Sequence, residues 1–409
     1  MVFKQPRIFS TIKHEFDVKD VEGVGGVSLE QDLLSKWYAA CHSTNGQFTL
    51  SNIHIGPVTF QGPCPANRNK MVVNVVGSVV AKPKSAWPPN NSDTWIKFEH
   101  VENLVITGTG NFNGQGLDWW NSCGGKLRSC ETNPTALAFN DCRGLLLDRV
   151  TSINSPRNHI SINACNGATI SNINIMAPNS SPNTDGIDIS NINGVNINGG
   201  HIGTGDDCIA INGNSFNINI TNLNCGPGHG ISVGSLGRNG AKDVVRNIRV
   251  IGATFSGTQN GVRIKTVPGG SGSASQITFS NITMVNVQNP IILSQFYCPH
   301  VDPKDCKNKR QMVHISGVSF EDIHGTCTTP NAIDINCSEN LNSCVGITLK
   351  KINIQAANGS FNAGSRCVDT NVQIIGSVFP RVTCIRAPHI IEMPLDYDYI
   401  ESEPALATN

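Results

Sequence analysis

The 409-residue chain reads as an all-β solenoid, a single-stranded parallel β-helix, and three observations predict it. Short β-branched runs recur from about residue 100 onward, punctuated by Asn and Gly. Apolar residues alternate within each run, so every strand has one buried and one wet face. No useful stretch between runs carries a 3.6-residue period, which argues against the helices of βαβ units.

One set of runs reads His159-Ile-Ser-Ile, Gly186-Ile-Asp-Ile, Cys208-Ile-Ala-Ile, Gly230-Ile-Ser-Val, Gly261-Val-Arg-Ile and Pro290-Ile-Ile-Leu. Its anchors Ile160, Ile187, Ile209, Ile231, Val262 and Ile291 are separated by 27, 22, 22, 31 and 29 residues. A second set advances in step: Ala168-Thr-Ile, Val195-Asn-Ile, Ile218-Asn-Ile, Ile248-Arg-Val and Ile277-Thr-Phe. Such intervals suit three short strands and their turns per coil, with stacked coils burying a shared core. Asn and Gly suit the repeated turns, where left-handed backbone is needed. An amphipathic stretch from Leu29 to Ala40 predicts a short helix capping the exposed N-terminal end. The pattern fades after about residue 385 into an acidic tail. The reading is one elongated domain over residues 1–409, with a cap region to about residue 45 and a loose tail over 386–409.

Composition excludes whole classes of function. Charged residues make 15% of the chain, and Lys+Arg (30) cancel Asp+Glu (30). A general nucleic-acid or membrane-surface binder needs a basic excess. No apolar run approaches about 18 residues, so nothing spans a bilayer. Fifteen cysteines, several closely spaced (Cys123 and Cys130, Cys298 and Cys306, Cys337 and Cys344), occur with sequons at Asn90, Asn179, Asn219, Asn281, Asn336 and Asn358. Together they favour an oxidising, secretory route. The odd count leaves at least one thiol unpaired or intermolecular. The opening Met1-Val-Phe-Lys-Gln-Pro lacks an apolar leader core, so a signal peptide is expected to be absent from this chain.

The unusual polar residues fall into register with the anchors. Asp185 lies two positions before Ile187, Asp207 two before Ile209 with Asp206 beside it, and His229 two before Ile231. Neighbouring strands lie about 4.8 Å apart, so these side chains form a stripe across successive coils. Arg263 and Lys265 flank the inward Ile264 on the next coil and are expected to face outward together. Singly, an Asp-Asp is a solvated turn, a Gly-His-Gly a tight turn and an Arg-x-Lys an exposed strand face. Their alignment is what points to a site. Paired carboxylates at such spacings suit glycoside hydrolysis, one protonating the leaving oxygen and another activating water. Crowding three carboxylates raises at least one pKa. The Arg and Lys offer an anion site for a substrate carboxylate.

Asn183-Thr184-Asp185, Gly205-Asp206-Asp207, Gly228-His229-Gly230 and Arg263-Ile264-Lys265, in that order, resemble the four signature motifs of polygalacturonases, the pectin-cleaving glycoside hydrolases. The contexts Ser181-Pro-Asn-Thr-Asp-Gly-Ile, Gly205-Asp-Asp-Cys-Ile and Cys225-Gly-Pro-Gly-His-Gly-Ile-Ser-Val-Gly-Ser-Leu-Gly are similar to the plant branch, as are Gly56-Pro-Val-Thr-Phe and Asn154-Ser-Pro-Arg-Asn-His. The resemblance runs over roughly residues 14–390. It implies a right-handed β-helix that hydrolyses α-1,4 bonds between galacturonic acid units with inversion. By position it makes Asp206 the general acid, and Asp185 and Asp207 the groups that hold and deprotonate water. His229 tunes the acid's protonation and contacts sugar. Arg263 and Lys265 bind the substrate carboxylate, Asn183 supports the cleft, and Tyr297 lies near the bound sugar. No metal or organic cofactor is implied. The resemblance also implies disulfides Cys208–Cys225 and Cys367–Cys384, a polysaccharide substrate and a cell-wall location. A polar-faced solenoid is expected to be monomeric.

One stretch departs from the family. After Phe16-Asp-Val the usual Gly- and Asp-rich pattern with paired acids is replaced by Val21-Glu-Gly-Val-Gly-Gly-Val, which bears on the cap and first coil rather than the stripe. A different class of protein, a catalytically silent wall or pollen β-helix that binds pectin, is the alternative. A pectate lyase needs calcium carboxylates and an Arg base, and the sequence offers no calcium cluster. For a hydrolase of rhamnose-containing pectin, Arg263 and Lys265 argue instead for a galacturonate beside the scissile bond.

Overall fold

The computed structural model describes the backbone of residues 14–18, and residues 28–44, 46–65, 70–88, 93–123, 130–298, 311–339, 343–359 and 361–386. Cys306, the sequon at Asn90, the atypical Val21–Val27 stretch and the acidic tail beyond residue 386 lie outside these. The described strands pair in parallel throughout, forming one sheet of 17 strands and one of 11. The chain is a right-handed parallel β-helix.

The repeat anchors stack as their spacing requires. In the 11-stranded sheet Ile160 pairs with Ile187, Ile187 with Ile209, Ile209 with Ile231, Ile231 with Val262 and Val262 with Ile291. In the 17-stranded sheet Ala168, Val195, Ile218, Ile248 and Ile277 follow one another likewise. All six anchors of the first set are fully buried. Because every coil places its apolar residue at the same height, like stacks on like. Phe60, Phe98 and Phe139 are successive partners, with ring centroids 5.0 and 5.5 Å apart. Such aromatic pairs add to the stabilisation from burial alone.

The solenoid starts earlier than the Ile-x-Ile pattern indicates. Its early coils use Gly46–Ile55, Val58–Gln61 and Met71–Ala81. Their inward positions carry Phe48, Phe60 and Val73 rather than the repeating isoleucines. The predicted cap helix is present as Leu29–Cys41. Ser28 caps it by accepting from the Gln31 amide, while the Gln31 side chain accepts from Ser28 N–H. It buries Leu33, Trp37 and Ala40, with Trp37 packed on Phe48, Phe60 and Phe98. This covers an edge that would otherwise present apolar side chains and unpaired backbone.

Turns carry asparagine for a physical reason. Among the described residues Asn supplies 13 of the 22 non-glycine positions with positive φ. Their amides then hydrogen-bond along the stack, as Asn247 to Asn217 (2.6 Å) and Asn217 to Asn193 (2.7 Å). Disulfides join Cys41–Cys64, Cys123–Cys130, Cys208–Cys225, Cys337–Cys344 and Cys367–Cys384. Cys298 is also disulfide-bonded, while Cys142, Cys165 and Cys327 are free and buried. Sequon residues Asn179, Asn281 and Asn358 are exposed. No described helix is long and apolar enough to cross a membrane.

Candidate active site

The site lies along the outward face of the 11-stranded sheet. Strands Ile187–Ser190, Ile209–Ile211, Ile231–Leu236 and Asn260–Thr266 are neighbours there, and the turns entering them carry the acids and the histidine. Two glycines make those turns possible. A Cβ on Gly205 would sit 1.9 Å from the Ser181 carbonyl oxygen. Gly228 has φ 143°, and a Cβ there would approach the Asp206 carbonyl oxygen at 2.7 Å. Cys208–Cys225 ties the acid turn to the histidine turn.

The predicted stripe is present but staggered. Asp207 occupies the register position matching His229, yet it is Asp206 whose Oδ1 meets His229 Nδ1, at 3.0 Å. Asp206 Oδ1 also accepts from the Asp207 amide at 2.8 Å. Asp207 turns onto the cleft floor. Its Oδ1 accepts from Arg263 (2.7 Å) and Ser232 (2.9 Å), and its Oδ2 from Lys265 (2.8 Å). Ser232 Oγ in turn accepts from Arg263 Nε at 3.0 Å. Arg263 and Lys265 leave the core as expected but are not open to water. Each is 7% exposed, because Asp207 draws them down and Tyr297 covers them. The Tyr297 ring lies 5.8 Å from the Arg263 guanidinium carbon and 5.1 Å from Lys265 Nζ, close enough for cation–π attraction.

Electrostatics divide the three acids. Burial disfavours ionisation of Asp206, but the His229 charge and hydrogen bond outweigh it and hold this carboxyl well below the usual carboxylate range. The same pair works reciprocally on His229, whose pKa rises despite its burial. Asp185 is pushed well above its ordinary value, first by burial and then by the charges of Asp206, Asp188 and Asp207. Within the pair the proton is favoured on His229 and the charge on Asp206, while at Asp185 the site favours the neutral form. Asn183 takes left-handed backbone (φ 55°), and its buried Oδ1 has no hydrogen-bond partner among the described residues, leaving it able to accept from a ligand hydroxyl.

Two neighbours escaped the sequence reading. Asp188 stands one coil from the acids, accepts from the Asn158 amide, and is raised to about 7 by burial, with Arg157 opposing and Asp207 and Asp206 reinforcing. Ser232 bridges Asp207 and Arg263. Both occupy outward positions between buried apolar residues, so the period-2 alternation was a signal that could have marked them. His159, from the Asn154–His159 piece, is instead fully buried, bonded to Ser152 at 2.8 Å, and lowered by burial to about 3. It is a core residue.

Asp206, Asp207 and His229 bring one ligand atom each within 4.8 Å of one another. His229, Arg263 and Lys265 already neutralise these carboxylates, so a divalent ion would enter against like charge. The donor set suits proton transfer better than metal binding.

Residues 43–375 match Glycosyl hydrolases family 28. The chain belongs to this family. A probable polygalacturonase of Arabidopsis thaliana is 42% identical over 353 residues, covering 85% of this chain and 75% of that protein. An exopolygalacturonase of Platanus acerifolia is 37% identical over 376 residues, covering 90% and 97%. Among solved structures, an endo-xylogalacturonan hydrolase from Aspergillus tubingensis superposes with a TM-score of 0.71 at 21% identity, covering 89% of this chain and 98% of that one. The last likeness concerns the fold. Within the family 28 frame, Asp206, Asp207, His229, Arg263 and Lys265 form one hydrogen-bonded cluster on the outward face of the sheet.

Proposed function

We propose that this family 28 member is a polygalacturonase that hydrolyses α-1,4 bonds of galacturonan with inversion. The observation that carries the reading is the Asp207–Arg263–Lys265 cluster lying against the Asp206–His229 pair. An acid couple and a cation clamp adjoin, as cleavage beside a substrate carboxylate requires.

Asp206 delivers a proton, held in the free site on the His229 side of the pair, to the leaving glycosidic oxygen as the C–O bond breaks. Asp185 and Asp207 hold the attacking water and take its proton. Asp185 does so in its ionised form, in which its raised pKa makes it a better proton acceptor than an ordinary carboxylate. Both Asp207 oxygens are engaged by Arg263, Ser232 and Lys265. Asp207 is therefore not free to form a glycosyl-enzyme bond, which supports direct attack by water and inversion. Arg263 and Lys265 carry further N–H donors for the substrate carboxylate, Tyr297 flanks it, and Asn183 Oδ1 accepts from a sugar hydroxyl or the water. The disulfides and exposed sequons support action outside the cell, in the wall.

The test is incubation with polygalacturonic acid at mildly acidic pH, wild type beside Asp206→Asn. Wild type is expected to release reducing ends without ultraviolet-absorbing unsaturated product. The variant should lose about 10²–10⁴-fold in rate. Unsaturated product would mean a lyase. No release from folded wild type would favour the silent pectin-binding alternative.

A further inference from the structure

A second concavity lies away from the catalytic stripe, on the last coils of the 17-stranded sheet. Strands Cys344–Ala356 and Val372–Phe379 are neighbours there, with Asn353 opposite Phe379. Ile352 and Ile354 point into the core, so Asn353 and Gln355 point outward. Gln355 Nε2 donates to Asn353 Oδ1 at 3.3 Å. Phe361 and Asn362, from the chain that follows the first of these strands, close the other side. Together these side chains line an open cavity of about 430 Å³, within the range of small-ligand sites, about 300–1,000 Å³.

The lining pairs two aromatic rings with three side-chain amides. Phe379 is 48% exposed and Phe361 half-buried, so both rings still meet water. A pyranose ring has a face of C–H bonds and a rim of polar groups. The rings suit the first and the amides the second. No charged side chain among the described residues lines the cavity, so a galacturonate would enter with its charge unpaired. A neutral sugar fits. The same turn carries the sequon Asn358-Gly359-Ser360. Asn358 is exposed, and Gly359 itself lines the cavity with φ 61°, with nothing within 4 Å of where a Cβ would stand. A sugar linked to Asn358 is therefore delivered to the mouth of the cavity. Tethering gives it a millimolar effective concentration, which makes contacts too weak for a free sugar sufficient.

We propose that Asn358 is N-glycosylated and that its first N-acetylglucosamine lies in this cavity, covering Phe361 and Phe379. The proposal rests on the secretory reading and adds to it which sequon is used and what its sugar does. The donor is an oligosaccharide on a polyprenyl diphosphate. Asn358 Nδ2 bonds to sugar C1, the C1–O bond to the diphosphate breaks, and the nitrogen releases one proton. The attached sugar then shields the two rings at the C-terminal end of the solenoid, where the outward strand Val372–Phe379 also exposes Ile374 and Ile375.

The experiment secretes the chain from plant cells behind a leader peptide and maps sequon occupancy by mass spectrometry of glycopeptides. Asn358 is expected to be occupied. Seating is read by a thermodynamic cycle: wild type and Phe379→Ala, each with and without Ser360→Ala, which removes the acceptor site but leaves Asn358. Ser360→Ala should lower the denaturation midpoint in the wild-type background and by less than about half as much beside Phe379→Ala, because the two changes remove one shared contact. Trimming the glycan to its first sugar should leave the midpoint unchanged. Bare Asn358 beside other occupied sequons would overturn the proposal. Equal shifts in both backgrounds, or none in either, would overturn it too, since the sugar would then be attached without lying on Phe379. A chain with no sequon occupied would overturn the secretory reading on which the proposal rests.

Discussion

Replacing Asp207 by Asn should destabilise the fold as well as stop catalysis. The Asp207 side chain is 1% exposed and lies between the side chains of Arg263 and Lys265, which are 8% and 9% exposed. Charges about 4 Å apart at an effective dielectric of about 20 attract by roughly 4 kcal/mol per pair. Desolvation cancels much of that while the cluster is intact. Removing the anion leaves two neighbouring cations buried and unpaired, and breaking such a group costs about 3–5 kcal/mol. The amide fills the same space, so no cavity contributes. At roughly 1.2 °C per kcal/mol for a chain of this size, Tm should fall by about 4–6 °C at neutral pH. Lys265→Met added to Asp207→Asn removes one orphaned cation and should recover about half of the loss. Scanning calorimetry at one fixed rate, with guanidinium unfolding alongside, reads both numbers. The reasoning fails if the single variant melts within about 2 °C of wild type. It also fails if the double variant is less stable than the single.

Three further outcomes follow from the same geometry. The His229 pKa is raised in the fold, so the pair's contribution to stability is present below about 6.5 and disappears as pH rises through the raised value; kcat/KM should fall along the same alkaline limb, and His229→Gln should abolish that limb. For His159 the sign is opposite. Its pKa falls from 6.5 to about 3 in the fold, so the unfolded chain takes up a proton first as pH drops, and stability declines by about 1.4 kcal/mol per pH unit between those values. Urea unfolding of His159→Gln at pH 6.5 and 4.5 should show a pH dependence smaller by about 2–3 kcal/mol, and an unchanged dependence would contradict the burial argument. Finally, Cys208→Ala/Cys225→Ala opens a link with a sequence separation of 17, which should lower stability by about 3 kcal/mol and depress kcat by loosening Asp206 against His229.

Much of this protein was readable without coordinates because a solenoid is nearly one-dimensional. When each coil contacts only its neighbours, a repeat interval in the sequence is a spatial register. Ile160, Ile187, Ile209 and Ile231 could therefore be stacked, and Asp185, Asp207 and His229 placed beside them, from counting alone. The N-terminal coils were less legible because Phe48, Phe60 and Val73 fill the core positions there without the Ile-x-Ile signature. Asp188 and Ser232 obeyed the alternation but looked like ordinary wet-face residues, since nothing local distinguishes an outward side chain in solvent from one in a crowded cleft.

The sequence by itself determined the fold class, the period, the cap helix and the coils that carry the chemistry, because these depend on backbone spacing and on which face is apolar. Tertiary structure alone decided which acid meets which base. Asp206 rather than the in-register Asp207 reaches His229, since the backbone of the turns at Gly205 and Gly228 sets the direction of the neighbouring side chains. It also decided that Arg263 and Lys265 are buried on Asp207, and that Glu131 meets Arg238. Those pairings join residues 56, 58 and 107 positions apart. Loops of variable length separate them, and no periodicity in the chain measures the distance that a loop folds back.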